Sequence, residues 1–151
     1  MKKSIVSFLV ATLLLSSVSS VALAEQNAVS PQGLITPLAD SGWQTKNKIR
    51  ARVYTDANSY GPGTNKIKIT AEKSTAGAAY YQLYLMNSTQ MVQVGSGTIG
   101  SSVTLDAAVS NIVPVNSQAS IKVLLKIYAY GDWDTWLGDW ETDSFTVVRI
   151  N

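Results

Sequence analysis

From residue 43 onward, apolar and polar positions alternate in short segments of period two, the signature of half-buried β-strands. "TKNKIRARVYT" sets Asn47, Ile49, Ala51 and Val53 on one side and Lys46, Lys48, Arg50 and Arg52 on the other. "NKIKITAEK" repeats the pattern, with Ile67, Ile69 and Ala71 against Lys66, Lys68, Thr70 and Glu72. Between them "DANSYGPGTN" has the Asp, Asn, Gly and Pro content of a turn-rich loop. "AYYQLYLM" and "QMVQVGSG" are joined through Asn87-Ser88-Thr89 and read as a hairpin. A looser stretch follows, with a short strand around Val103 to Leu105 and a connection carrying Pro114, and within it "LDAAVSNIV" is the one segment with the character of a short helix. "SIKVLLKIYAY" and "SFTVVRI", rich in β-branched and aromatic residues, complete the series. The expected fold is all-β, an antiparallel β-sandwich of about seven strands.

Three stretches sharpen that expectation. "YYQLYLM", then "VSNIVPVNSQASIKVLLKIYAYGDW", then "GDWETDSFTVV" resemble the middle and closing strands of fibronectin type III and other immunoglobulin-like modules. In those families a hydrophobic-x-Pro connection precedes a tyrosine-rich strand, and a polar hairpin leads to the last one. The resemblance implies an immunoglobulin-like topology and leaves function open, because such folds host many activities.

The N-terminus follows a different pattern. Lys2 and Lys3 precede an apolar run from Ile5 to Leu15, and Ala22-Leu23-Ala24 ends it with small residues, the organisation of a secretory signal peptide. The run is too short to span a bilayer, which takes about 20 apolar residues. The expected organisation is a signal peptide over residues 1–24, a flexible leader or pro-segment over 25–42, and the sandwich over 43–151, with the mature product secreted and no transmembrane segment. Removing the signal takes two of the 12 basic residues and leaves them equal in number to the 10 acidic ones. A neutral domain has no overall drive toward nucleic acid.

The chain contains neither cysteine nor histidine. An exported domain without cysteine is held together by burial alone. Without histidine there is no Ser-His-Asp triad and no imidazole metal ligand. Paired carboxylates are the remaining hydrolytic chemistry, and glycosidases use two at about 5 to 9.5 Å. Asp132 and Glu141 could meet that spacing, but a protruding hairpin lacks the desolvated cleft that raises one carboxyl's pKa. The expectation is a non-enzymatic protein.

The densest chemistry lies in "GDWDTWLGDWETD", where Gly131-Asp132-Trp133-Asp134-Thr135 returns as Gly138-Asp139-Trp140-Glu141-Thr142. As a hairpin with its tip at Thr135 to Gly138, it would place Trp133 opposite Trp140, Asp134 opposite Asp139 and Asp132 opposite Glu141. Alternation would then send the four carboxylates to one flank and the two facing indoles to the other. Trp133 and Trp140, stacked across the strands, are expected to serve packing first, and Trp136 at the tip is the contact candidate; with Trp133, Trp140 and Tyr130 it forms the candidate ligand-binding set. Asp132, Asp134, Asp139 and Glu141 form a candidate site for a hard cation such as calcium, which would offset their mutual repulsion; otherwise no cofactor is expected.

Lys46, Lys48, Arg50 and Arg52, on one face of a single strand, form a candidate polyanion-binding stripe. These features favour a secreted binding module that contacts an extracellular glycan or cell-wall polymer through the aromatic, acidic hairpin. Two alternatives stand beside it. One is head-to-tail self-association of the acidic tip with the basic stripe; the other is a small membrane-active antagonistic protein that inserts "GSGTIGSSVTL" as a hairpin.

Overall fold

The computed structural model describes residues 39–150. The signal peptide over residues 1–24 and most of the leader lie outside the described residues. Strands run in the order β1 (Gln44–Lys46), β2 (Ile49–Thr55), β3 (Ser59–Tyr60), β4 (Lys66–Lys73), β5 (Ala79–Met86), β6 (Met91–Ile99), β7 (Ser102–Ala108), β8 (Ser117–Ala129), β9 (Trp136–Glu141) and β10 (Phe145–Arg149). They form a four-stranded sheet, β1-β2-β4-β7, and a larger one, β3-β10-β8-β5-β6, with β9 also paired to β8.

The alternation read from the sequence is what joins the two sheets. Ala51 and Val53 of β2 and Ile67, Ile69 and Ala71 of β4 point inward, where they share one core with Leu83 and Leu85 of β5 and with Ile121, Val123, Leu125 and Ile127 of β8. Burying such side chains stabilises the fold by about 1.5 to 3 kcal/mol each, and with no cysteine in the chain this is the principal cohesive force. Lys73 is the one buried charged residue among those described, and its ammonium is held by the carbonyls of Thr75 and Gly77.

The all-β, immunoglobulin-like sandwich expected from the sequence is present, with four differences in detail. "TKNKIRARVYT" is not one strand. Lys46 pairs with Ile49 across a two-residue turn, and Asn47 and Lys48 both take positive φ, 44° and 68°. That is the backbone of a type I′ hairpin turn, whose twist matches the flanking strands. "LDAAVSNIV" is strand as far as Ala108 and then a single turn, closed by Val113 N–H donating to the Val109 carbonyl at 2.9 Å. Ala107 and Val109, Ile112 and Val113 are all buried, so the segment plugs one end of the core. The "DANSYGPGTN" loop contributes β3, which pairs in parallel with β10 in an otherwise antiparallel fold. Tyr60 of β3 meets Phe145 edge-on at 5.7 Å, a contact that seats the loop.

The domain edge is the fourth difference. Ala39 is buried, Asp40 bridges Tyr54, and Ser41 N–H donates to the Val53 carbonyl at 2.9 Å, so residues 39–42 belong to the sandwich rather than to a leader.

β9 and β10 lie end to end along the same side of β8, pairing with its residues 124–128 and 117–121 respectively. The interruption between them is held by Thr142, whose N–H donates to the Val123 carbonyl while its hydroxyl accepts the Val123 N–H, both at 3.0 Å. Ten elements therefore reduce to seven principal strands, β9 and β10 counting as one, with β1 and β3 as short additions.

Candidate functional site

The GDWDT segment forms the loop that joins β8 to β9. Gly131, with φ of 85°, turns the chain, and Ala129 N–H donates to the Thr135 carbonyl across the base of the loop at 2.9 Å. Asp132 organises the interior by accepting the Asp134 N–H at 2.8 Å and the Thr135 hydroxyl at 2.6 Å. These hydrogen bonds favour the charged carboxylate and hold its pKa below the usual range. With its backbone fixed in this way, the loop presents Trp133 flat against Tyr80 of β5, ring centroids 4.3 Å apart and planes 9° from parallel.

Trp133 belongs to a contiguous aromatic surface. Tyr130 packs on Tyr80 at 5.3 Å, and Trp133 also meets Tyr128 at 5.7 Å. Trp136 is the register partner of Tyr128, and its indole N–H donates to Asp139 Oδ1 at 2.7 Å. Tyr84 and Tyr128 donate their hydroxyls to Gln82 Oε1 at 2.7 and 3.0 Å, tying the rings to the sheet. Partial burial and the nearby Asp139 charge push the Tyr128 pKa up, keeping that hydroxyl protonated. Tyr130, Trp133 and Trp136 remain 64%, 42% and 53% exposed. Tyr130 and Trp133 stay this open while packing on Tyr80, and exposed aromatic surface of this kind marks a contact candidate.

The hairpin register differs from the one expected. Asp139 pairs with Lys126 and Glu141 with Leu124, while Tyr130 to Thr135 form the loop. A bulge at Leu137-Gly138 accounts for part of the difference: Ile127 pairs with Gly138 but the next residue, Tyr128, pairs with Trp136. Trp140 consequently points inward. It is completely buried, its indole N–H donating to the Gln44 carbonyl at 3.0 Å, so it neither faces Trp133 nor belongs to a ligand surface.

The four carboxylates do not converge. Asp132 is used within its own loop, Asp139 holds the Trp136 indole, Glu141 is ion-paired with Lys122, and Asp134 is exposed. Among the described residues, no three acidic side chains come together as a metal cradle.

The basic stripe is broken up by the turn at Asn47-Lys48. Lys46 reaches across to the Asp139 carbonyl and lies over the Trp140 ring at 5.7 Å, and Lys48 occupies the turn itself. With Asn47 Nδ2, which donates to the Leu137 carbonyl at 3.0 Å, Lys46 covers the outer edge of β9. Arg50 and Arg52 stay together on β2, both 4.9 Å from the Trp43 ring, and Arg52 is further engaged by Glu72 at 2.7 Å and Asp40 at 3.7 Å. The acidic tip and basic stripe required for head-to-tail docking are therefore absent as continuous surfaces. "GSGTIGSSVTL" is likewise divided, β6 lying in the larger sheet and β7 in the smaller, with Ile99 fully buried between them.

Of the residues proposed from the sequence, Tyr130, Trp133 and Trp136 lie exposed at this surface, whereas Tyr80 and Tyr128, which pack beneath Tyr130 and Trp133, and the hydrogen-bonded Gln82 and Tyr84 were not anticipated. A signal was present: Tyr80, Gln82 and Tyr84 share one parity of "AYYQLYLM", so the polar and aromatic side of that strand was legible, although its neighbour in the sheet was not. No helix among the described residues is long and apolar enough to cross a membrane. Comparison with curated proteins and with solved structures gives no match. The match to a family model covers residues 38–148, from just before the buried Ala39 into β10, and on that extent the chain belongs to the YqgA MG2 macroglobulin domain family.

Proposed function

We propose that the chain is a secreted, non-enzymatic binding module whose aromatic face contacts an extracellular glycan or cell-surface polymer. The observation that carries this reading is the exposure of Tyr130 and Trp133 on a floor of Tyr80 and Tyr128, with the exposed Trp136 beside them as the register partner of Tyr128. Aromatic faces bind the C–H faces of sugars by apolar contact, and the polar groups between them give orientation. Gln82 supplies such a group, since its carbonyl oxygen is taken by two tyrosines and its amide nitrogen is left to donate outward. Macroglobulin MG2 domains are non-catalytic modules, typically extracellular, which agrees with the signal peptide read from residues 1–24 and with the absence of histidine and cysteine.

The test is a pull-down of the purified domain on insoluble polysaccharides and cell-wall preparations, with and without chelator. Wild type is expected in the bound fraction, and Trp136→Ala in the supernatant with an unchanged melting curve. Retention of Trp136→Ala and Trp133→Ala at wild-type levels, or failure of the wild type to bind any of these polymers, overturns the reading. Loss of binding on chelation would assign the contact to a metal-dependent site instead.

A further inference from the structure

We infer that the aromatic face is one end of a longer track, and that its ligand is a linear, uncharged glycan chain lying along β8 from the Trp133 platform to a groove around Ser120. The inference rests on the reading above and adds the length and charge of the ligand.

The groove lies on the same outer face of the larger sheet. β5 pairs with β8 only as far as Met86 opposite Lys122, whereas β8 extends back to Ser117. Where β5 stops, a concavity of about 600 Å³ opens, lined by Asn87 and Ser88 of the β5–β6 turn, by Gln118, Ser120 and Lys122 of β8, and by Ser144, with Met86 and Ala119 adding apolar surface. That volume lies within the ordinary range of small-ligand sites, about 300 to 1,000 Å³.

The hydroxyls of Ser88, Ser120 and Ser144 and the amide of Gln118 have no protein partner among the described residues, so four neutral donor-acceptor groups converge on one concave space. Neutral hydroxyl and amide groups match the hydroxyls of a sugar, to which each can both donate and accept.

Strand parity connects the groove to the platform. Gln118, Ser120, Lys122, Leu124, Lys126 and Tyr128 occupy alternate positions of β8 and face the same way, with the buried Leu124 as an apolar step between the two lysines, so a ligand can run from one site to the other without crossing the sheet. Eight residues separate Ser120 from Tyr128, about 26 Å at 3.3 Å per residue, which a single sugar ring cannot span.

The charges along the way argue against a polyanion. Lys122 is ion-paired with Glu141, and Lys126, in no ion pair among the described residues, stands in register with the carboxylate of Asp139. At the aromatic end Asp132 and Asp134 flank Trp133. An anionic polymer would meet repulsion there and find no unopposed cationic row farther along, whereas an uncharged chain meets neither obstacle.

The experiment uses tryptophan fluorescence titration with a panel of uncharged linear oligosaccharides, β-1,4-linked glucose, mannose and N-acetylglucosamine, each as disaccharide and hexasaccharide, alongside a polyuronate of matched length. One hexasaccharide of the panel is expected to bind about tenfold or more tighter than its disaccharide, because joining two contacts makes the second intramolecular. Ser120→Trp, which fills the groove, and Gln118→Ala, which only truncates it, should weaken the hexasaccharide and leave the disaccharide unchanged. Trp136→Ala should weaken both. Equal affinity for short and long chains, with Ser120→Trp and Gln118→Ala indistinguishable from wild type, overturns the track and leaves the platform standing. Tighter binding of the polyuronate overturns the charge assignment, and no response to any member of the panel overturns both readings.

Discussion

GDWDT and GDWET differ by one methylene in sequence and by almost everything in structure. The first is a loop whose tryptophan lies open on Tyr80; the second is strand through Glu141, and its tryptophan is the largest fully buried side chain of those described. Their aspartates diverge as well, Asp132 accepting its own loop's N–H and hydroxyl, Asp139 holding an indole. So do their threonines, since the Thr135 hydroxyl donates at the surface while that of Thr142 accepts a buried strand N–H. The local code is nearly constant, and position relative to β8 decides the rest. The first copy begins where β8 ends, the second runs back alongside it.

Substitutions at matched positions in the two copies should separate them. The largest difference is expected at the tryptophans. Trp140→Ala removes a ring with no exposed surface and should cost about 3 to 5 kcal/mol. Trp133→Ala loses mainly its stack on Tyr80, about 0.5 to 1.5 kcal/mol, together with the proposed glycan contact. Urea denaturation of both variants measures the difference, and equal midpoints would mean that the two rings are not in different environments.

The glycines come next. A Cβ at Gly138 would sit 3.0 Å from Lys46 Cβ and from a Trp140 ring carbon, so Gly138→Ala should cost about 1 to 3 kcal/mol through overpacking at the bulge. At Gly131 a Cβ would meet nothing within 4 Å, and only the positive φ opposes it, about 1 kcal/mol. Thermal melts of the two variants should rank Gly138→Ala below Gly131→Ala, and the reverse order would contradict the assigned bulge.

The smallest effect concerns pH. Asp132 is held charged by its loop, so its folded pKa lies below the unfolded one. Its charge-dependent contribution is complete above the unfolded value, about 3.9, and is lost as pH falls through the lower folded value. Asp132→Asn should therefore be less stable than wild type at neutral pH, with the gap closing in strong acid. Denaturant midpoints measured across that range provide the check, and a gap that stays constant with pH would assign the loop's stability to hydrogen-bond geometry rather than charge.

The two outer faces of the sandwich repeat the lesson on a larger scale. On the smaller sheet the exposed aromatic, Trp43, is covered by Arg50 and Arg52, and the surrounding charges answer one another, Arg52 with Glu72 and Asp40, Lys68 with Asp106. Its carboxylates at Asp40, Glu72 and Asp106 are all engaged by cations, although Arg50 and Lys66 are in no ion pair among the described residues. On the larger sheet Tyr80, Tyr128, Tyr130 and Trp133 cover one another, Trp136 stays open beside them, and neutral polar groups are without protein partners among the described residues.

Alternation along the chain determined which side of each long strand is apolar, and hence the all-β sandwich, the paired strands β5 and β6, and the inward sets of β2, β4 and β8. Those choices are local, because period two is fixed by the backbone of a single strand. Composition determined as directly that no thiol or imidazole chemistry is available. Tertiary structure alone decided the type I′ turn at Asn47-Lys48, the bulge at Leu137-Gly138 and the direction of Trp140. Each depends on a pairing between segments far apart in sequence, and a shift of one residue in such a pairing sends a side chain to the opposite face. Near-identical pentapeptides could therefore yield one tryptophan for the core and another for the surface, and only the strand beside them fixed which was which.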